Sequence, residues 1–381
     1  MSTVMKRAPG IRQTRLVSLD ALRGFDMSML IGARVIAAGL AKLDLPGVSA
    51  IVRQLSHTPW NGLTFYDVIF PLFVFITGVS LTLSLRKRLE RGDERRAIMR
   101  HVTARAVMLF LLGIVYNEGF GQAPLLVNIR VMGVLQRIAL CYFFAAMLVL
   151  YTKPRTQVAV AASILVGYWA VMKFVPVPGH GAGVWTVQGN LAGYLDRRLL
   201  PGRLFYGDWD PEGLLTTVPA VATCLLGVLS GHWLRSSEKV GSRTLTAEQR
   251  AKYLFLGGLV TSVVGLLVSP AFPLNKNLWT SSFVLVTGGL GIMALAALHW
   301  VIDLQGHRRW AFPLVAIGMN SMFIYLAVRF VPFGRVAEWL VGGGLSTALG
   351  PWQALFQALV QLTLELSLLV WLYRRKILIK I

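Results

Sequence analysis

Apolar residues fall in long uninterrupted runs along this chain, and polar residues gather in the short stretches between them. At roughly 1.5 Å of rise per residue, a helix crossing a hydrocarbon layer of about 30 Å needs about 20 apolar residues. Stretches near that length lie at 16–42, 65–86, 103–118, 131–151, 157–175, 214–234, 253–270, 280–301, 312–330 and 353–372. A membrane-spanning strand needs only about ten residues and alternates in polarity, which these runs do not. The pattern predicts an all-α, polytopic membrane protein of about ten transmembrane helices, with residues 1–381 as one domain.

Composition agrees with the pattern. Of 381 residues, 55% are hydrophobic and 14% charged, and the mean hydropathy is +0.61. The net charge of +21 invites a nucleic-acid partner, but its placement argues against one. If the N-terminus is cytoplasmic, the segments on that side hold 25 Lys and Arg and the opposite ones 8. That asymmetry is the positive-inside pattern, so both termini are expected in the cytoplasm, with membrane lipid as a partner and no nucleic acid. The start, "MSTVMKRAPGIRQTR", reads as a basic cytoplasmic tail over 1–15. The following run is too long and too charged for a signal peptide and lacks a small-residue cleavage site. Cys141 and Cys224 both fall inside apolar runs and support neither a disulfide framework nor a metal site. The longest loop on the outer side, 176–213, is punctuated by Pro and Gly, with a short helix expected around "LAGYLDRRLL". A loop of that length, carrying Trp, Tyr, Asp210 and Glu212, is expected to cap or line a site.

Candidate chemistry sits where polar groups interrupt the apolar runs. In "SLDALRGFDMSMLIGARV", Asp20, Arg23, Asp26 and Arg34 share an arc of about 120° on a helix, so they are expected to face inward as intramembrane ion pairs that fix packing. In "HTPWNGLTFYDVIFPLFVFITG", His57, Trp60, Asn61 and Asp67 stand at a helix mouth. Histidine titrates near neutrality and is the commonest general base, and a nearby carboxylate can orient its ring. Asp67 also suits a plainer role, since Thr64 and Asp67 have capping-box spacing. Pro71 frees the carbonyl of residue 67, so the first turn of this helix is expected to be irregular. "FPLNKNLWTSS" places Asn275, Lys276, Asn277 and Trp279 at another outer mouth, and "GMNSMFIYL" places Asn320 within a run. Amides beside indoles suit hydroxyl-rich ligands, although Trp anchoring and interhelical hydrogen bonds explain them as well. Arg137, in "VLQRIAL", lies within a run nearer its outer end and can pair with an acid or meet an anion. Neither a phosphate-binding glycine loop nor a nucleophile elbow is present.

Taken together, "SLDALRGFDM", "HTPWNGLTFYDVIFPLFVFITG", "GVLQRIALCYF", "FVPVPG", "AGYLDRRLL", "DPEGLLTTVPA", "PLNKNLW", "GMNSMFIY" and "RRKILIKI" resemble, in order and over nearly the whole chain, one family. It is the heparan-α-glucosaminide N-acetyltransferase family of transmembrane acyltransferases, with its bacterial relatives associated with N-acetylglucosamine use. The family's asparagine-containing stretch upstream of the histidine has no recognisable counterpart in "AKLDLPGVSAIVRQLSH". The resemblance implies an enzyme of the bacterial inner membrane. Cytoplasmic acetyl-CoA, its co-substrate, would acetylate the amine of a glucosamine-type acceptor presented from the periplasm, and no metal is implied. It further implies that His57 is catalytic, with Asp67 orienting it and Asn61 or Asn275 holding sugar hydroxyls or the oxyanion. Trp60, Lys276, Asn277, Trp279, Asp210, Glu212 and Asn320 are then expected to bind the acceptor, and Arg105, Arg137 and Lys380 the CoA phosphates. Direct transfer and an acetyl-histidine intermediate both fit. So do a transporter of amino sugars or glycan fragments on the same scaffold and an acyltransferase for another envelope acceptor. The sequence leaves open whether the chain forms a homodimer.

Overall fold

The computed structural model describes residues 16–118, 129–236, 239–240 and 243–379. Helices follow one another almost without relief: α1 (Val17–Leu40), α2 (Val48–Gln54), α3 (Ile69–Glu90), α4 (Arg95–Glu118), α5 (Val134–Tyr151), α6 (Pro154–Phe174), α7 (Leu191–Leu199) and α8 (Leu214–Arg235). After a two-residue hairpin (Lys239–Val240 with Arg243–Thr244) come α9 (Ala247–Val268), α10 (Ser281–Leu298), α11 (Phe312–Met319), α12 (Ser321–Phe330), α13 (Phe333–Val341), α14 (Gly344–Leu349) and α15 (Gln353–Arg374).

Among the described residues, eight helical segments are long and apolar enough to cross a membrane, and the α11–α12 pair, bent by 71°, makes a ninth. α1 is equally long, but Asp20, Arg23, Asp26 and Arg34 keep its composition below that standard. With α1, the helices cover every stretch marked by the apolar runs. Some boundaries move. α4 begins at Arg95 rather than 103, because Ile98 and Val102 are buried under a basic outer face. α9 begins at Ala247 rather than 253, behind a capping box in which Thr246 and Gln249 satisfy each other's backbone N–H groups.

Lipid competes with apolar side chains for apolar contact, so membrane helices gain their association from close approach. Here glycines permit it. A Cβ on Gly24 of α1 would lie 1.7 Å from the Leu314 carbonyl oxygen of α11, and one on Gly318 would lie 2.0 Å from that of Asp20. α3 and α8 meet in the same way, with Gly78 against the Cys224 carbonyl and Gly227 against that of Phe75. These two helices are mostly buried, whereas only about a quarter of each of α4, α6 and α9 is buried. The core therefore runs along α3 and α8, joined by Trp279, Phe283 and Val284 at the start of α10.

The charges of α1 do not form one network. Arg23 pairs with Asp20 at 3.3 Å and donates to Ser80 Oγ of α3 at 2.6 Å. Asp26 is fully buried, and neither of its carboxyl oxygens has a hydrogen-bond partner among the described residues. Arg34 is exposed. A helix arc groups residues by direction alone. Over the 14 residues from Asp20 to Arg34 these charges spread along about 21 Å of axis, too far for one network.

Candidate active site

His57 stands in the loop between α2 and α3, its side chain 42% exposed. Its Nδ1 lies 2.8 Å from Asp67 Oδ1. The other carboxylate oxygen, Oδ2, accepts from the backbone N–H and hydroxyl of Thr58 at 3.2 and 3.1 Å, and from those of Thr64 at 3.1 and 2.9 Å. Asp67 thus closes the loop 58–64 onto itself while presenting one oxygen to the histidine. Since an ionised carboxylate only accepts, the proton of neutral His57 resides on Nδ1, and Nε2 keeps its lone pair. The turn that carries Asp67 is irregular, as Pro71 predicts: Tyr66–Val68 form a tight 3₁₀ turn before α3 proper.

Two groups lie against the imidazole. The Tyr66 ring packs on one side at 4.6 Å between centroids. Lys276 Nζ approaches to 3.0 Å from Nε2 and 3.3 Å from Nδ1. An approach so nearly equal to both nitrogens is made over the ring rather than along one lone pair. Burial holds the Lys276 ammonium below the usual lysine range, helped by the charges of Arg137 and Arg34 and opposed by Glu212 and Asp67.

Lys276 is brought here by a turn that the sequence builds tightly. Asn275 Oδ1 accepts from the Leu278 N–H at 2.8 Å, which orients its amide and directs Nδ2 to Asn61 Oδ1 at 3.0 Å. Asn61 must then present its own Nδ2, with two donors, outward from an exposed position. Gly62 N–H donates to the Leu274 carbonyl at 2.8 Å, which completes the seam between the loops 57–64 and 271–280. Asn277 is half-buried in the same turn. Trp60 donates from Nε1 to the Trp185 carbonyl at 2.7 Å and meets Trp209 edge-on at 5.1 Å, so the outer loop 176–213 docks directly on the histidine motif. Tyr206, an exposed residue, stacks on Trp209 at 4.4 Å.

Several expected ligand contacts prove to be internal. Trp279 is fully buried in the left-handed region at φ 49°. It donates to Thr223 Oγ1 at 3.1 Å, and the Arg137 guanidinium covers its ring at 4.7 Å. Arg137 itself is buried at this same end of the bundle, where its Nη2 donates to the Pro211 carbonyl at 2.8 Å. It braces α5 against the start of α8 and does not reach the pocket described next. Asp210 and Glu212 are buried around Arg130, at 2.7 and 2.6 Å, and Asp210 also accepts from the Phe205 and Glu212 N–H groups. Their lone pairs serve the outer loop and are not displayed to a sugar. Asn320 forms the break between α11 and α12, donating to the Ile377 carbonyl at 3.1 Å and accepting from the Ile379 N–H at 2.9 Å, away from His57. Tyr66 and Arg130 were not singled out from the sequence. Their position beside Asp67 and at a helix mouth was the available signal.

A second site lies toward the opposite end of α3. A pocket of about 350 Å³ is lined by Arg23, Ser80, Ser84, Arg105, Tyr142 and Ser321, among others. From Asp67 to Ser84 is about 25 Å of helix at roughly 1.5 Å per residue. Arg105 lies over the Tyr142 ring at 5.2 Å, so its guanidinium is held at the pocket wall. Ile379 also lines this pocket; Lys380, the next residue, lies outside the described residues. Phe73, Ile138 and Met322 line both this pocket and a narrow apolar space of about 10 Å³ that continues along Met27, Leu30 and Tyr325. Tyr66, whose ring lies beside His57, donates to the carbonyl of Leu30, one of the residues that line that space, at 3.4 Å. Among the described residues no cluster of three or more potential metal ligands occurs.

An all-helical, multi-pass membrane protein with an aspartate-oriented histidine at one mouth and a cation-lined pocket toward the other end of α3 is the class that fold and site define. The family model described as "Heparan-alpha-glucosaminide N-acetyltransferase, catalytic" matches residues 15–270, and the chain belongs to that family. Heparan-alpha-glucosaminide N-acetyltransferase of Homo sapiens is 29% identical over 420 aligned residues, which cover 96% of this chain and 60% of the human protein. The Mus musculus protein of the same name is 28% identical, with 85% and 56% covered. The chain thus spans less than two thirds of the length of these relatives.

Proposed function

We propose that this chain is a transmembrane N-acetyltransferase that moves the acetyl group of cytoplasmic acetyl-CoA to the amine of a glucosamine-type sugar reaching His57 from the periplasm. The observation that carries the reading is the His57–Asp67 pair. A carboxylate held by the Thr58 and Thr64 N–H and hydroxyl groups fixes the imidazole with Nε2 unprotonated and its in-plane lone pair available to an incoming amine. In the proposed reaction Nε2 accepts a proton from the sugar amine as its nitrogen attacks the thioester carbonyl. The C–N bond forms, the C–S bond breaks, and the imidazolium returns the proton to the departing CoA thiolate. The outward amide of Asn61 can donate to the developing oxyanion, where one such group is worth about 10²–10³ in kcat. The exposed ring of Tyr206, stacked on the half-buried Trp209 beside Trp60, suits the apolar face of a sugar ring.

The other pocket fits acetyl-CoA in its donor set. Arg105 and Arg23 offer cations to phosphates, and Ser80, Ser84 and Ser321 offer hydroxyls to the pantetheine amides. The family match favours transfer over carriage of an intact sugar, because the relatives that align over most of the chain are named N-acetyltransferases. Purified protein given radiolabelled acetyl-CoA and a panel of amino sugars is expected to label a glucosamine-type acceptor. His57→Ala is expected to lower turnover by about 10²–10⁴-fold, the range for a general base. Full activity in that variant would overturn the role of His57. Counterflow of unmodified sugar by proteoliposomes, without labelling, would replace the enzyme by a carrier.

A further inference from the structure

Lys276 holds an amine over the His57 imidazole, within hydrogen-bond distance of Nε2, and a rotation about its own side-chain bonds would carry that amine to the in-plane lone pair. An acceptor nitrogen has to come within hydrogen-bond reach of His57 Nε2 while the thioester carbonyl stands beside it, and Lys276 Nζ is 3.0 Å from that atom. The position is built. Asn275, which precedes Lys276, is locked by the Leu278 N–H and by Asn61, and the Tyr66 ring packs against the imidazole. A lysine that served only to hold the histidine would add little to Asp67, which already fixes the ring.

We propose that Lys276 is an internal acceptor, acetylated on Nζ by acetyl-CoA in a His57-dependent reaction when no sugar fills the site. This rests on the function proposed above, because it uses the same donor and the same base. The step balances in the same way. The neutral ε-amine attacks the thioester, its proton passes to His57 Nε2, the C–N bond forms and the C–S bond breaks. CoA then leaves as the thiol after taking that proton. The lowered ammonium affinity of Lys276 increases the fraction of attacking amine. Unlike an acetyl-histidine, the product is an amide and cannot pass its acetyl group on. It leaves an uncharged, longer side chain across the imidazole, so each event removes one site from turnover. Sugar and lysine compete for one position, and the enzyme is spared while acceptor is plentiful.

The test uses the full-length protein in detergent, isotopically labelled acetyl-CoA and no sugar, read by peptide mass spectrometry. The expected result is an acetyl group on Lys276 in preference to the other lysines. It should be absent in His57→Ala, suppressed by excess glucosamine, and accompanied by a proportional loss of later sugar turnover. Lys276→Arg keeps a cation but is expected to abolish that time-dependent loss. An unlabelled Lys276 in a preparation that acetylates glucosamine overturns this inference and leaves the enzyme standing. Equal labelling of Lys276 in the His57→Ala protein, or of all lysines alike, also overturns it, since it marks chemical acetylation. If neither sugar nor lysine is labelled, the proposed acetyltransferase falls as well.

Discussion

Asp67 does two jobs with two oxygens, and they make opposite demands on any replacement. Oδ2 faces the N–H and hydroxyl groups of Thr58 and Thr64, and Oδ1 faces His57 Nδ1. In Asp67→Asn the amide would turn its oxygen toward the four threonine donors and its NH₂ toward Nδ1, which moves the imidazole proton to Nε2 and removes the base. Turnover is expected to fall by about 10²–10⁴-fold with the KM for sugar nearly unchanged; steady-state kinetics check the split. Asp196 offers a second test. Burial pushes its carboxyl up to about 7, against the Leu214 N–H that it accepts at the start of α8. A folded-state value above the unfolded one means that the protonated form is favoured by folding. Stability is therefore expected to fall as pH rises from about 4 through 7 and to flatten above. Thermal unfolding in detergent should show that slope, and Asp196→Asn should remove it. The meeting of His57, Asp67, Asn61 and Asn275 was legible because two short motifs carry all four. Trp279, Asp210 and Glu212 were misjudged because nothing local reveals that partners distant in sequence, Thr223 for Trp279 and Arg130 for Asp210 and Glu212, consume their polar atoms.

At the scale of elements, on the proposed reading, the small apolar space that adjoins the cation-lined pocket is a neck that sets what can pass toward His57. Phe73 of α3, Ile138 of α5 and Met322 of α12 border both the 350 Å³ pocket and the far smaller space beyond it. An acetyl group is the smallest acyl unit that presents a methyl to such a neck, and each added methylene meets these side chains. Discrimination of roughly 10–200-fold per methylene is what an apolar pocket supplies. Met322→Ala is therefore expected to raise propionyl-CoA use relative to acetyl-CoA by about tenfold in competition assays, and an unchanged ratio would remove the neck as the filter. Helix positions were largely readable because an apolar run of spanning length has few alternatives in a bilayer. The break at Asn320 was not, since an Asn inside an apolar run looks the same whether it bonds a ligand or, as here, the backbone of residues 377 and 379. Gly24 and Gly318 were equally silent until the crossing of α1 and α11 was seen. Gly318→Leu is expected to separate those helices and lower thermal stability, whereas an exposed turn glycine such as Gly343, with nothing near its missing Cβ, tests only local strain.

For the whole molecule, the two sites lie toward opposite ends of one helix, about 25 Å apart by the rise of α3, and their chemistry is complementary. Basic residues outside the membrane concentrate on the side where α3 ends, and the cation-lined pocket opens from α3 at the level of Ser80 and Ser84. His57 and the aromatic group of Trp60, Trp209 and Tyr206 lie where α3 begins. On the proposed reading, donor and acceptor never share a compartment, and only an acetyl group crosses. That makes the sites separable. Arg105→Ala, which removes one charge from the donor pocket, is expected to raise the KM for acetyl-CoA about tenfold, equivalent to ~1.4 kcal/mol, without changing the KM for sugar. It also makes the reaction directional. In sealed vesicles of one orientation, acetyl-CoA on the Arg105 face and amino sugar on the His57 face should give product on the His57 face only. The reversed arrangement should give none until detergent opens the membrane. Product formed with both substrates on the same face of a sealed vesicle would mean that the neck does not separate two compartments, and that His57 and Arg105 line a single aqueous cleft.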